Sequence, residues 1–385
     1  MNNKVLLISS NSSSRGGGER YLVFLTKGLS ELGCEVHVLL SDKKYMDGWS
    51  HDIALSGGHV HRLSLTSLKD RPFRFLNSIN DKKQINVIES FCKKISPDAI
   101  LINQQYDEDG LDFLKGAMQS GISSVAGVMH MPMTKFKNKR FLGRIRGVIL
   151  SRWYLKNPYK LIFVSEGSQD EFESYYKAPR PTFVVNNAIP LNNALSFKNH
   201  KKAIFQNNDP VIGFSGQFVN QKNLDCLVYA WVASLKKGVK SNLLLVGDGP
   251  ERQKIEEFLK GNAPRESWFI TGWTKSPEKY LYEIDLFVLT SFFEGMPLSL
   301  IEAVARGIPA LITPFNGAYD ISKHAAWVFM TKNNSLEEVE LMMTHILFNL
   351  KKIKLLANEG VNEFRDYFSL RRMALDILSI LQLKT

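Results

Sequence analysis

What most constrains the fold of this chain is an alternation. Short, almost purely apolar runs recur between longer stretches whose apolar residues fall three or four apart. Val5–Ile8, Val36–Leu40, Ala99–Ile102, Ser124–Val128 and Leu161–Val164 have the length and composition of strands buried on both faces. Between the first two lie Tyr21, Phe24, Leu25, Leu29 and Leu32 at helical spacing, closed by Gly33, a good helix stop. Such alternation builds βαβ units and a parallel sheet with helices on both faces. Val184–Pro190 then runs into a polar stretch through Asp209, and the pattern restarts. Its second set is Val211–Phe214, Leu243–Val246, Trp268–Ile270, Leu286–Leu289 and Ala310–Ile312. The expectation is two α/β domains, 1–190 and 209–368, joined by a linker at 191–208.

At 385 residues the chain is long enough for two cores. Ordinary proportions of hydrophobic (44%) and charged (23%) residues exclude a disordered or collagen-like chain. Cys34, Cys92 and Cys226 lie far apart, which excludes a disulfide scaffold, argues against structural zinc and fits a reducing compartment. No apolar run approaches the ~20 residues of a membrane span. Val5–Ile8 is also shorter than the ~7–15 residues of a signal sequence. The expected location is therefore cytoplasmic. The net charge of +11 calls for an anionic partner. Residues 1–195 carry 26 Lys and Arg against 18 Asp and Glu, so most of the excess lies there.

The segment Leu289–Pro309 is the richest in chemistry. A strand is expected to end near Thr290, followed by a loop carrying Glu294 and Gly295. Pro297 suits the first position of a helix, where its missing N–H costs nothing. That helix is expected to run to about Arg306 and stop at Gly307. Free N–H groups of Leu298, Ser299 and Leu300 would offer a phosphate site. Glu302, further along the helix, has the acceptors for a ribose diol. A strand–turn–helix with one capping and one solvated glutamate is the alternative.

Other features are weaker. Gly16–Gly18 and Gly247–Gly249 each lack the third glycine of a dinucleotide fingerprint, at Tyr21 and Arg252, which disfavours NAD or FAD. Asp107-Glu-Asp109 spells a D-x-D metal motif but reads as a solvated acidic turn, and no obligatory metal is expected. His37, His51, His59, His61 and His324 show no ligand spacing. Lys135–Lys160 holds nine Lys and Arg and no acid, with Leu142, Ile145, Ile149 and Trp153 at the spacing of one helix face. That face either packs on the first domain or rests on an anionic membrane. Nucleic acid is disfavoured because no reading motif accompanies the charge.

The run E-G-M-P-L-S-L-I-E-A-x-A-x-G-x-P from Glu294 resembles the E-x7-E motif of glycosyltransferase family 4, retaining enzymes of GT-B fold. Gly213–Leu224 is similar to that family's phosphate-contacting loop, Leu245–Arg252 to its G-D-G-P loop, and Phe269–Trp273 to its nucleobase-flanking segment. Gly16–Arg20 is similar to its G-G-x-E-R loop, Val128–His130 to its strand-end histidine, Phe163–Glu166 to the last strand of its first domain, and Asn187–Pro190 to its N-G-[IV]-[DP] segment.

The resemblance implies two Rossmann-like domains facing across a cleft, with a helix over 369–385 packing back on the first. It implies a nucleoside-diphosphate sugar as donor. Glu294 would lie against the sugar, and Gly295, Met296, Leu298 and Ser299 beside its hydroxyls and phosphates. Glu302 would take the ribose, Gly249, Gly272 and Trp273 the nucleotide, and Lys222 the leaving diphosphate. His130 would orient the reacting sugar or the acceptor, and Gly16, Gly17 and Gly18 would let backbone approach the ligand. Gln217 departs from the pattern: the family has arginine there, and Arg252 is the nearby candidate to compensate. The implied setting is bacterial polysaccharide assembly on a lipid-linked or lipopolysaccharide acceptor at the inner membrane face. A GT-B sugar-nucleotide epimerase and a catalytically weak membrane-bound partner of another transferase are the alternatives.

Overall fold

The computed structural model describes residues 3–10, 16–67, 70, 74–134, 141–157, 159–176, 181–190 and 204–384. Most of the expected linker, 191–203, and the basic residues Lys135–Arg140 lie outside them. The chain divides into two compact units, one of residues 1–188 with 368–385 and the other of residues 189–367.

The first unit is built on seven parallel strands: β1 (Lys4–Ser9), β2 (Glu35–Ser41), β3 (His59–Leu63), β4 (Ala99–Gln104), β5 (Ser124–Met129), β6 (Lys160–Phe163) and β7 (Thr182–Val184). Their order is β3-β2-β1-β4-β5-β6-β7. Val5 to Ile8 and Ile100 to Ile102 are wholly buried because helices cover both faces of the sheet. The order reverses between β1 and β4, a point where the loops leaving the two strands diverge and open a crevice.

Helix Leu370–Leu381 belongs to this unit and packs on helix Gly17–Glu31. Gly28 makes the approach possible: a Cβ there would lie 2.8 Å from the Leu370 carbonyl oxygen. Carbonyls at the end of a helix lack intrahelical donors. Here Ser124 Oγ donates to Leu381 O (2.7 Å) and Lys160 Nζ to Ile380 O (2.6 Å), the ammonium also complementing the helix dipole.

Two expectations for this unit change, and one contact is new. Asp107 and Asp109 are not solvated but 0% and 6% exposed. Asp109 accepts from Ser10 Oγ (2.6 Å) and Gln105 N (3.2 Å), Asp107 accepts from Tyr176 Oη, and its carbonyl accepts from Tyr154 Oη. The segment leaves a central strand, so its carboxylates are drawn inward as structural acceptors. Helix Phe141–Lys156 buries Leu150, Trp153 and Tyr154, while Ile145, Val148, Ile149 and Leu155 are exposed. The buried stripe therefore follows Trp153 and leaves Ile145 and Ile149 outside. Finally, His37 Nδ1 and His61 Nε2 are hydrogen-bonded at 2.8 Å, joining side chains that no sequence spacing connects.

The second unit has six parallel strands: β8 (Val211–Ser215), β9 (Asn242–Val246), β10 (Trp268–Ile270), β11 (Leu286–Leu289), β12 (Ala310–Ile312) and β13 (Val328–Met330). Their order, β10-β9-β8-β11-β12-β13, repeats the arrangement of the first unit with its reversal between β8 and β11.

Candidate functional site

In an open parallel sheet the ligand crevice lies beyond the carboxyl ends of the strands, at the reversal. In the second unit the loops leaving β8 and β11 occupy that position. Lys222 is in the first and Glu294 in the second, and Lys222 Nζ forms an ion pair with Glu294 Oε1. Ser291 Oγ donates to the same oxygen at 3.0 Å. Both charges are largely withdrawn from solvent, the side chains being 16% and 9% exposed. The loops are fastened by backbone: Phe292 N donates to Gln221 O (2.9 Å), and Gln221 Nε2 to Phe293 O (2.9 Å).

The glycines of the neighbouring loops are explained by contact. Phe218 N donates to Asp248 O (2.9 Å) and Glu251 N to Phe218 O (3.0 Å), so the loop after β9 lies on the loop after β8. Gly247 has φ +140°, and a Cβ on it would lie 1.9 Å from Gly216 O. A Cβ on Gly249 would lie 2.4 Å from Phe218 O. Gly272, with φ +72°, bridges to Gly247, and Trp273 beside it is 57% exposed. These positions hold backbone against backbone, leaving the loop edges to face a ligand.

Helix Leu298–Val304 follows Gly295 and Met296. Pro297 is the residue before the helix, not its first member, and the helix ends two residues short of Arg306, turning through Gly307 at φ +72°. Glu302 is buried, Leu298 is buried, and Ser299 is half-buried. Gly317, which the sequence reading did not single out, lets a neighbouring loop press on this one: its Cβ would lie 2.1 Å from Gly295 O.

Gln217 is exposed, and its side chain has no hydrogen bond among the described residues. Arg252, the candidate to compensate, is ion-paired within the second unit. Its guanidinium is taken by Asp248 (2.8 Å) and Glu256 (3.7 Å).

In the first unit the remaining candidates gather at its own reversal point. Gly16 precedes helix Gly17–Glu31, and its N–H donates to Glu19 Oε2 at 3.2 Å. Gly17 is exposed, with nothing within 4 Å of a Cβ position. Gly18 is buried beside Gln105, Asn103 and His130, and a Cβ there would meet Gln105 Oε1 at 2.8 Å. His130, 6% exposed, follows β5; burial holds its imidazole down at about 4, so it is neutral near pH 7. Its Nε2 lies 2.8 Å from Asn103 Oδ1, and the ring of Tyr21 packs edge-on at 4.9 Å. Asn103, near the end of β4, lies just past the expected strand Ala99–Ile102 and carries no motif that marks it.

Two family models match the chain: "Glycosyltransferase Family 4" over residues 15–193 and "Glycosyl transferases group 1" over residues 209–347. The amylovoran biosynthesis glycosyltransferase AmsD of Erwinia amylovora is 27% identical over 183 residues, 47% of this chain and 51% of that protein. The O-antigen biosynthesis glycosyltransferase WclY of Escherichia coli is 22% identical over 219 residues, 56% of this chain and 59% of that protein. The chain thus spans about half of the length of the first curated relatives it matches. Among solved structures, HepE of Anabaena in complex with UDP superposes with a TM-score of 0.76 at 17% identity, covering 98% of this chain and 99% of that one.

Proposed function

The chain belongs to glycosyltransferase family 4, of GT-B fold, and we propose that it transfers a sugar from a nucleoside diphosphate to an acceptor hydroxyl with retention of anomeric configuration. The ion pair between Lys222 and Glu294 at the sheet reversal carries this reading. A glycosyl transfer leaves charge on a departing diphosphate, and a preorganised cation stabilises that charge most where water is excluded. Lys222 is such a cation. Glu294 holds it in place and takes hydroxyls of the sugar. Glu302 accepts from the ribose, and backbone N–H groups at Gly295, Met296, Leu298 and Ser299 hold sugar and phosphate oxygens. Gly249, Gly272 and Trp273 border the nucleotide. His130 and Gly16 to Gly18 act on the transferred sugar or the acceptor. The reading takes no metal.

UDP in the HepE structure makes uridine the first base to test. The relatives named for amylovoran and O-antigen biosynthesis favour a surface polysaccharide as product. Release of UDP or GDP from a panel of sugar nucleotides, with and without lipid-linked acceptor, tests the proposal. Acceptor-dependent release with one donor is expected. Conversion of a sugar nucleotide without release would instead identify an epimerase.

No helix among the described residues is long and apolar enough to cross a membrane. Peripheral attachment is part of the proposal. Helix Phe141–Lys156 exposes Ile145, Val148, Ile149 and Leu155 beside Arg144, Arg146, Arg152 and Lys156, and contains no acid. Exposed apolar residues interleaved with cations suit the interface of an anionic bilayer, each cation adding ~1 kcal/mol. Sedimentation with vesicles tests it: equal binding to neutral and anionic lipid at low salt would refute this attachment.

A further inference from the structure

Three groups of the first unit, from the start of helix Gly17–Glu31 and from the ends of β4 and β5, form one directed hydrogen-bond chain. The carbonyl of Gly18 can only accept, so Asn103 Nδ2, 3.1 Å away, is the donor. That settles which way the amide faces: Asn103 Oδ1 is the atom turned to His130 Nε2 at 2.8 Å. An amide oxygen also can only accept, so the network assigns the proton of the imidazole to Nε2. His130 is neutral near pH 7, because burial disfavours its charged form, and its second nitrogen therefore carries a lone pair. Nδ1 has no hydrogen-bond partner among the described residues. The edge-on ring of Tyr21 limits rotation of the imidazole, and Asn103, near the end of the central strand β4, is itself 4% exposed.

We propose that Asn103 is a positioning residue that fixes His130 as the Nε2–H tautomer and so presents Nδ1 as a hydrogen-bond acceptor for a hydroxyl of the transferred sugar or of the acceptor. The hydroxyl half of this statement rests on the glycosyltransferase reading, and the tautomer half does not. A neutral acceptor nitrogen recognises a hydroxyl and repels phosphate oxygen, which has no proton to offer. The chain of donors thus places a hydroxyl subsite, not an anion subsite, at this end of the first unit.

The full chain, labelled with 15N-histidine, gives the test by NMR alongside turnover. His130, identified by loss of its signals in His130→Gln, is expected to show a protonated Nε2 and an unprotonated Nδ1. Asn103→Ala removes the acceptor, so His130 is expected to become a tautomer mixture and turnover to fall at least about tenfold. Asn103→Asp keeps the shape and the acceptor but adds a negative charge, which raises the proton affinity of the ring. Its turnover is expected to acquire an extra acid limb, falling as pH drops below about 6.5. A structural role alone would lower turnover equally at every pH. An unchanged tautomer in Asn103→Ala, or a wild-type His130 protonated at Nδ1, overturns the proposal. An altered tautomer with unaltered turnover overturns its hydroxyl half. Absence of turnover in the wild type with every sugar nucleotide is distinguishable from these, because it counts against the glycosyltransferase reading while the NMR result stands.

Discussion

Lys222 and Glu294 lie 72 residues apart in the chain and are paired across the point where the second sheet reverses its strand order. The pair is partly desolvated, so each charge sets the environment of the other. Removing the cation alone strands a carboxylate and, on the proposed function, takes away the group that would meet the leaving diphosphate. Lys222→Ala is expected to lower turnover at least ~100-fold, measured as acceptor-dependent nucleotide release. Near-normal turnover would sink the assignment.

Removing the other partner should separate binding from chemistry. In Glu294→Gln the ammonium of Lys222 no longer shares its charge with that carboxylate. UDP affinity is expected to hold or rise while turnover falls at least ~100-fold. Calorimetric titration with UDP checks this, and tenfold weaker binding would contradict it.

Gln217 is exposed and makes no side-chain hydrogen bond among the described residues, and Arg252 is committed to Asp248 and Glu256. A second cation on the β8 loop should therefore add to Lys222 and break nothing. Gln217→Arg is expected to preserve or raise turnover at an unchanged melting temperature. A loss of ten-fold or more would show that the glutamine is needed as such.

Two glycines make a contrasting pair. Gly247→Ala would place a methyl group 1.9 Å from Gly216 O at a φ that L-residues avoid, so two loops must separate. A loss of roughly 2–4 kcal/mol of stability is expected, read as a fall in melting temperature with a raised KM for the donor. Gly17→Ala meets nothing within 4 Å and should leave the melting temperature unchanged or raised. Any fall in its turnover then reports a ligand contact.

The buried imidazole also makes stability depend on pH. His130 titrates at about 4 when folded and near 6.5 in a free chain, so between those values the unfolded state binds the extra proton. Its contribution is present above pH 6.5 and is lost as pH falls toward 4, about 3 kcal/mol in all. His130→Gln should therefore lose less melting temperature than the wild type between pH 7 and pH 5. Equal losses would mean that the ring is solvated.

The strands at the centre of both sheets were legible because burial on both faces leaves an unbroken apolar run, as in Val5–Ile8 and Leu286–Leu289. β3, β7 and β13 were not. They are sheet edges: His59–Leu63 has two apolar residues among three polar ones and is nowhere fully buried, and Thr182–Val184 and Val328–Met330 are three residues long without a fully buried run. Lys222, Glu294 and Glu302 were singled out by resemblance to a family motif, and the structure brings the first two together as an ion pair. Asn103 was not, since its importance lies in partners on two other segments, Gly18 and His130, and it occupies an ordinary place at a strand end. The buried role of Asp107 and Asp109 escaped notice for a related reason: Ser10, Tyr154 and Tyr176, which satisfy them, are distant in sequence.

The return of helix Leu370–Leu381 to the first unit fixes an order of events during synthesis. The partner of Gly28 and the groups that meet Ser124 and Lys160 do not exist until all of residues 189–367 have been translated. The second unit has a contiguous sequence and can fold as it emerges, whereas the first must wait with the outer side of helix Gly17–Glu31 uncovered. A chain interrupted just before Phe368 would carry a finished second unit and an unfinished first one, a ready substrate for chaperones and proteases.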